Sequence, residues 1–435
     1  MRAKYSGPET AAAKRNFPFT TRSVHREFIS SLAVIKKAAA LANAAGGKLP
    51  SLVARSIARA ADEIISGRLD HEFSLPALQG GAGTSINMNV NEVIAGRATQ
   101  ILKRKAAVHP NDHVNLSQST NDVNPSALRI AGLNLLGTVL LESRGLAAAL
   151  ADKAKEYKDL RKLGRTHLQD AVPTTLGAEF AAYAASVERD IRRLEEVRPF
   201  LLELNLGGTA IGNSLNASPR YIREVYKHLR SLTGLRVKPA PNLMAQTSSQ
   251  TDFVMLSQSL TALGIDLSRI ANDLRLLASG PRGGLGEIEL SPLQSGSSIM
   301  PGKVNPVLPE AVNQLYFMLS GNNETIQQAA QAAQLELGVM GPIIADRLLE
   351  SLTATAEVVR QFTDKCVKTL RANTQTCHRW LEAANALATL LTPRLGYDAV
   401  SAAVKQAQAE GKTLREVVLA RGLLMAREFD SLTRV

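Results

Sequence analysis

The apolar periodicity between residues 256 and 277 constrains the fold more than any other feature of this 435-residue chain. Apolar side chains recur alternately four and three residues apart, which places them on one face of a helix. Similar stripes start near residues 133, 176 and 312. The pattern predicts helices of roughly 30 residues, far above the globular average, packed in an elongated central bundle. The clearest stripe consists of Leu256, Leu260, Leu263, Leu267, Ile270, Leu274 and Leu277.

The composition supports packing of helix on helix. Hydrophobic residues make up 45% of the chain but aromatic residues only 4%, so Leu, Ile, Val and Ala must build the core. Outside the striped region the apolar patterns are shorter and are interrupted by glycines. We therefore predict an all-α subunit with an N-terminal helical domain at 1–115, a central long-helix bundle at 116–372 and a small C-terminal helical domain at 373–435.

The charge balance favours anionic ligands. Lys and Arg outnumber Asp and Glu by 51 to 39, which gives a formal charge of +12 and a field that attracts anions. The basic residues are scattered and few aromatics accompany them, which argues against nucleic acid as a partner. The basic N-terminus lacks an apolar core segment, and no apolar run of about 18 residues is evident, so we expect a cytoplasmic protein that neither spans nor binds a membrane.

The segment 296–306 has the composition of an anion-binding loop. It combines the hydroxyls of Ser297 and Ser298, the ammonium of Lys303 and the amide of Asn305 with two glycines and flanking prolines. A closed, partly dry loop of this kind could surround a carboxylate or a developing oxyanion. The same residue types are also common in surface turns, so the composition alone leaves both interpretations open.

Three further polar blocks occupy residues 83–92, 109–122 and 164–170. The first offers hydroxyls and three alternating asparagines before a helix that we expect to open near Val90, where these groups could bind a ligand or cap the helix. Polar segments directly precede three of the apolar stripes. This order places the polar groups at helix ends, where free N–H groups and the macrodipole favour a bound carboxylate.

No metal site or cofactor site is predicted. His109 and His113 are four residues apart, but Pro110 discourages a continuous helix and no HExxH glutamate is present. Cys366 and Cys377 fit neither a CxxC nor a CxxH spacing. The chain also lacks a dinucleotide-binding fingerprint and a P-loop, so its sequence shows no motif for hydride transfer or phosphoryl transfer.

Acid–base chemistry on a small anionic molecule remains as the expected activity. Removing a proton next to a carboxylate creates a doubly charged aci-carboxylate, whose charge preorganised donors must carry. The groups suited to this task are Lys303, Asn305, Thr166 and His167.

Taken in order, the blocks at 80–92, 109–124, 164–177 and 296–306 resemble the signature of the aspartase/fumarase superfamily of lyases. The resemblance extends over nearly the whole chain. It implies a small dicarboxylate or amino-acid substrate, no cofactor, and a homotetramer whose active sites are shared between subunits. The heptad-striped helices also favour an oligomer, since they are too long and apolar to be buried within one chain of this size.

The resemblance also assigns roles to individual residues. Ser297 matches the general base of the superfamily, and His167 and Lys303 match its other catalytic groups. A serine hydroxyl is a weak base precursor, so this role requires loop N–H groups and nearby cations that stabilise its alkoxide. The residues that match substrate-binding positions are Thr84, Ser119, Thr120, Asn121, Thr166, Ser298, Lys303 and Asn305.

Within the superfamily, the run 307–314 resembles the aspartase branch, which implies elimination of ammonia from L-aspartate to give fumarate. Fumarate hydration, release of a substituted amine and a catalytically silent binding protein are the alternatives. Departures from the family pattern leave the identity of the leaving group open. Gly338 stands where an asparagine is expected and Ala12 where an arginine is expected, and Asn213 and Ser214 also depart from the pattern.

Overall fold

The computed structural model describes residues 4–103 and 107–433, and 67% of the chain is helical. The all-α class is confirmed. The α-helices are α1 Pro8–Asn16, α2 Arg26–Ala45, α3 Ser51–Ile65, α4 Thr84–Ile101, α5 Thr120–Glu156, α6 Leu176–Leu201, α7 Pro219–Thr233, α8 Leu243–Ser248, α9 Thr251–Leu277, α10 Val307–Gln331, α11 Gly341–Phe362, α12 Thr374–Ala383, α13 Ala388–Leu395, α14 Tyr397–Glu410, α15 Leu414–Ala420 and α16 Ala426–Leu432.

The strands form three small pairs. The first pair is an antiparallel hairpin, the second is parallel and the third is antiparallel. Within residues 4–103 and 107–433 no sheet exceeds two strands. The pairs are β1 Arg161–Thr166 with β2 Gln169–Thr175, β3 Glu203–Leu204 with β4 Lys238–Pro239, and β5 Ile288–Glu289 with β6 Arg371–Ala372.

The long helices follow the predicted stripes. α5 has 37 residues, α9 has 27 and α6 has 26. Each apolar side chain of the α9 stripe from Leu256 to Leu274 is completely buried in the single chain, on one helix face. The expectation that one chain of this size could not bury the striped helices is therefore wrong, because the helices of the same chain cover one another's apolar faces. The core is aliphatic, in agreement with the low aromatic content. Cys366 and Cys377 are both buried within it, and burial raises the pKa of each thiol to about 12.

The chain divides into two compact units. The first unit comprises Met1–Leu141, Asp190–Leu263 and Leu315–Ala356, and the second comprises Glu142–Arg189, Gly264–Gln314 and Glu357–Val435. Within the second unit, the C-terminal helices α12–α16 bury an apolar cluster. The boundaries at 1–115, 116–372 and 373–435 concern a different division and stay a prediction.

Two helices, α2 and α5, reach the length and mean hydropathy of a membrane span, which we did not anticipate from the sequence. In α2, 67% of the apolar window is buried inside the protein, and in α5 the share is 50%. Core helices of globular proteins pass the same test, so length and composition alone assign neither helix to a membrane.

The polar motifs lie at the starts of long helices, as predicted. α5 begins at Thr120, inside the polar block at 109–122, and α10 begins at Val307, directly after the 296–306 segment. The hairpin β1–β2 leads directly into α6 at Leu176. Each motif is therefore held by a rigid element whose apolar face is anchored in the core.

Candidate active site

The 296–306 segment forms a loop that is closed at its base. The Gly296 N–H donates to the carbonyl of Lys303 at 2.9 Å, and the side-chain amide of Asn305 donates to the carbonyl of Gly296 at 2.8 Å. A Cβ atom at position 296 would lie 2.4 Å from the Lys303 oxygen. Only glycine allows this closure, which explains why the loop begins with it.

The closed loop surrounds the hydroxyl of Ser297 with donors. Ser297 Oγ accepts N–H bonds from Ile299 at 3.2 Å and from Met300 at 3.1 Å. Donors aimed at an oxygen stabilise negative charge on it, so this arrangement favours an alkoxide. The side chain is half-buried, whereas Ser298 and Lys303 are exposed.

The hairpin β1–β2 presents Thr166 and His167 at its exposed tip. His167 has φ = 57° and Leu168 has φ = 58°, which is the left-handed conformation at both turn positions. This conformation is unfavourable by about 1–2 kcal/mol for each residue other than glycine. Surrounding contacts must therefore hold the turn in place, and they keep His167 at the tip.

A buried carboxylate provides this support. Glu287 is completely buried in the second unit, and it pairs with Lys162 at 3.1 Å and with Arg165 at 2.9 Å. Lys162 also pairs with Glu179 at 2.6 Å. Because both cations belong to β1, these ion pairs fix the strand that carries Thr166.

In the first unit, the starts of α4 and α5 are joined. The amide of Asn87 in α4 donates to Thr120 Oγ1 at 3.1 Å, and the amide of Asn121 donates to the carbonyl of Ala210 at 2.8 Å. Ser119 Oγ accepts the N–H of Asn121 at 3.2 Å. The hydrogen bonds thus bring the predicted residues Ser119, Thr120 and Asn121 together with the helix that begins at Thr84.

The first polar motif differs from its predicted form. α4 begins at Thr84 rather than near Val90, because Gly83 adopts φ = 81° and ends the preceding turn there. The three alternating asparagines therefore lie inside the helix and are buried, and their amide nitrogens donate to neighbouring segments or within α4. They are Asn87, Asn89 and Asn91.

His109 and His113 belong to a short π-helical turn, Pro110–Val114. Both rings accept backbone N–H bonds there: His109 Nδ1 from Asp112 at 3.1 Å and His113 Nδ1 from His109 at 2.8 Å. These rings therefore stabilise the local turn.

Asp122 supports the start of α5, a role that we did not assign to it from the sequence. Its Oδ1 accepts the N–H of Ser119 at 2.9 Å, and its Oδ2 accepts the N–H groups of Gly207 at 2.9 Å and Thr209 at 3.0 Å. One carboxylate thus caps α5 and binds the glycine-rich loop beside it. The signal was present, since Ser119 followed three residues later by an acid is a capping pattern.

The Asp122 carboxylate has an unusual electrostatic environment. Complete burial raises its pKa to about 6, although the three N–H bonds and the nearby Lys36 oppose this shift. Burial lowers the pKa of the Lys36 ammonium to about 7, and Asp122 opposes that shift. Lys36 Nζ donates to Asn115 at 2.8 Å and to Gln118 at 3.1 Å, so the cation also holds the segment before α5.

The predicted site residues fall into two groups within one chain. Thr84 and Ser119–Asn121 belong to the first compact unit, whereas Thr166–His167 and Ser297–Asn305 belong to the second. Within the part of the second unit that the structure describes, no hydrogen bond or ion pair joins the hairpin tip to the Ser297 loop. Each group includes exposed residues: Thr84 in the first group, and Thr166, His167, Ser298 and Lys303 in the second.

Comparison with known proteins decides the family. A family model described as Lyase matches residues 2–321, and one described as Fumarase C C-terminus matches residues 387–435. The first match alone covers well over half of the chain. The chain belongs to the aspartase/fumarase superfamily of lyases. The resemblance seen in the sequence motifs is thereby confirmed, including its extension into the C-terminal helices.

Relatives within the superfamily are similar over most of their length. Aspartate ammonia-lyase of Bacillus subtilis (strain 168) is 45% identical over 98% of this chain and 90% of its own length. Fumarate lyase:delta crystallin from Brucella melitensis, solved bound to cobalt, is 43% identical with a TM-score of 0.94, covering 100% of this chain and 95% of that one. Class II fumarase from Schistosoma mansoni is 36% identical with a TM-score of 0.93, covering 99% and 94%.

Substitution of Asp122 by Asn should test its positioning role in this superfamily site. An amide nitrogen in place of one oxygen would face backbone N–H groups, and one unsatisfied buried donor should lower kcat/KM about tenfold or more. In the wild type, kcat/KM should fall as the pH drops below about 6, because protonated Asp122 loses an acceptor. The measurement is kcat/KM against pH for both proteins.

The exposed Asp398 provides a matched control, because Asp398→Asn makes the same chemical change at the surface. It should leave the profile unchanged. If Asp122→Asn retains wild-type kcat/KM across the pH range, Asp122 does not position the Ser119–Asn121 turn for catalysis.

Proposed function

We propose that the protein is an aspartate ammonia-lyase, a carbon–nitrogen lyase that reversibly eliminates ammonia from L-aspartate to give fumarate. The observation that carries this proposal is the 45% identity, over 98% of the chain, with the aspartate ammonia-lyase of B. subtilis. The arrangement of donors around Ser297 supports the chemistry, since it supplies the alkoxide stabilisation that the reaction requires. Neither a cofactor nor a metal takes part in the mechanism proposed here.

In this mechanism, Ser297 removes a proton from the carbon next to the β-carboxylate. The electrons move into that carboxylate and form an aci-carboxylate, whose extra charge the ammonium of Lys303 and the amide of Asn305 stabilise. The electrons of the aci-carboxylate then form the C=C bond of fumarate as the C–N bond breaks, ammonia leaves with the electron pair of that bond, and Ser297 releases its proton to solvent. His167 and Thr166 act at the charged end of the substrate, and the remaining contacts come from Thr84, Ser119, Thr120, Asn121 and Ser298.

We further propose that the enzyme is a cytoplasmic homotetramer with shared active sites. Apolar side chains next to the site residues support this proposal: Ile299 is 83% exposed and Leu168 is 69% exposed in the single chain. Exposed apolar groups clustered beside polar site residues are typical of surfaces that another subunit covers. The two groups of site residues would then meet across subunit boundaries.

Purified protein should form fumarate from L-aspartate faster than from L-malate. Fumarate formation can be followed by its ultraviolet absorbance at equal substrate concentrations. The second candidate is fumarate hydration, which the 36% identity with class II fumarase from S. mansoni favours. Faster turnover of malate would establish the hydratase instead, and inactivity with both substrates in a correctly folded tetramer would favour a silent relative.

A further inference from the structure

A cavity lies inside the first compact unit, behind the first turn of α5. Thr120 and Asn121 form part of its wall, as does Gly83 beside Thr84, so it adjoins three of the proposed substrate contacts. The volume of the cavity is about 40 Å³, counted as the space open to the centres of water molecules. One water needs about 10–15 Å³ on this scale, so there is room for about three atoms of that size.

Two residues that line the cavity each have a buried polar atom without a partner within the described residues. Gln250 is 3% exposed and its Nε2 donates to nothing, while Asn124 is 8% exposed and its Oδ1 accepts from nothing. An unsatisfied buried group of this kind costs about 1–3 kcal/mol. A bound acceptor would pair with Gln250 Nε2 and a bound donor would pair with Asn124 Oδ1, and a hydroxyl can serve in either role.

The remaining wall limits the charge of such a group. Among the residues that the structure describes, no lysine or arginine lines the cavity, and most of the lining side chains are apolar. The carboxylate of Asp346 also borders the cavity and is already paired with Arg22 at 3.2 Å, and burial lowers the pKa of His25, which favours the neutral ring. A carboxylate would enter without a cation to compensate it, so the cavity suits an uncharged group.

The position of Gln250 depends on a departure from the family pattern. A Cβ atom on Gly338 would lie 2.5 Å from Gln250 Nε2, so a side chain at position 338 and the present Gln250 conformation exclude each other. The family pattern has an asparagine at this position. In this chain the glycine at position 338 therefore leaves the space that the Gln250 amide occupies.

We propose that this cavity is a subsite for a short, uncharged, hydrogen-bonding substituent on the amine of an N-substituted aspartate, and that Gln250 is its specificity-determining residue. This inference rests on the proposed function. The elimination uses both carboxylates of aspartate, and the amine is the position that can carry an extension while both remain. A 2-hydroxyethyl group has three non-hydrogen atoms and ends in a hydroxyl, which matches the cavity in size and polarity.

The reaction with such a substrate follows the same steps. The proton on the carbon next to the β-carboxylate passes to Ser297 oxygen, and the C–N electron pair leaves with the amine. The products are fumarate and 2-hydroxyethylamine, which takes up the released proton in water.

The test compares N-(2-hydroxyethyl)-L-aspartate with N-propyl-L-aspartate, which has the same number of substituent atoms but no hydroxyl. The wild type should favour the hydroxyethyl compound on the order of tenfold in kcat/KM, because only its hydroxyl satisfies the buried amides. Gln250→Leu keeps the side-chain size but removes the donor, so the preference should disappear. Gly338→Ala should weaken it by displacing the unchanged amide. Gln328→Leu, at an exposed position of α10, should retain it.

The shift in melting temperature on adding each compound gives a second readout that needs no turnover. Three outcomes would each overturn the inference. The wild type could convert both compounds equally well, or the preference could survive Gln250→Leu. The enzyme could also turn over aspartate while it neither binds nor converts either compound. Inactivity with aspartate itself would refute the proposed function. In that case a selective, Gln250-dependent thermal shift would still support the subsite, and its absence would refute it.

Discussion

Ser297→Ala is expected to lower kcat for aspartate on the order of a thousandfold, because it removes the proposed proton acceptor. The KM should change little, since the groups that bind the carboxylates remain. Folding should also be preserved: the bonds that close the loop join Gly296 to Lys303 and to Asn305 and do not involve the serine side chain. Steady-state kinetics together with thermal unfolding of the purified variant measure both effects.

Ser295 offers a matched control for this substitution. It is exposed and lies directly outside the closed loop, so Ser295→Ala makes the same chemical change without touching the oxygen that Ile299 and Met300 surround. We expect near-normal kcat for the control. Comparable rates in Ser297→Ala would mean that the serine only shapes the turn and that another group removes the proton.

The helical architecture was predictable because its signal is local. The stripe from Leu256 to Leu274 requires only that a helix turns every 3.6 residues, and each of its rungs is completely buried. The order of polar and apolar segments predicted polar groups at helix ends near the apolar stripes, and α5 and α10 begin at Thr120 and Val307, before the stripes themselves. The start of α4 was misplaced because alternating asparagines look like loop residues, whereas here tertiary hydrogen bonds keep them inside a helix.

The supports of the candidate site could not be predicted in the same way. Asp122 binds Gly207, which lies 85 residues further along the chain, and Glu287 binds Lys162 from a distant segment. A sequence pattern suggests that Asp122 caps a helix, but not that its second oxygen meets another loop. The N–H groups that bind the Ser297 oxygen belong to the backbone, which is the same for every residue type except proline. The sequence therefore could not indicate them.

We propose that each active site is shared between subunits. Thr84, His167 and Ser298 are exposed in the single chain, so a neighbouring subunit can reach the segments that carry them. Moreover, the hairpin tip and the Ser297 loop make no direct bond to each other within the described residues, so even these two can come from different chains.

Ser297→Ala and His167→Ala, each nearly inactive alone, should regain activity when they are unfolded and refolded together in equal amounts. If the hairpin and the loop of each site come from different chains, random assembly gives roughly a quarter of the sites both intact segments. Activity should therefore rise to about a quarter of the wild-type value, and each variant refolded alone should stay inactive. Formation of mixed oligomers can be verified with a mass tag on one variant. An inactive mixture that contains mixed oligomers would place both segments of a site in one subunit, since no redistribution of chains could then restore a complete site.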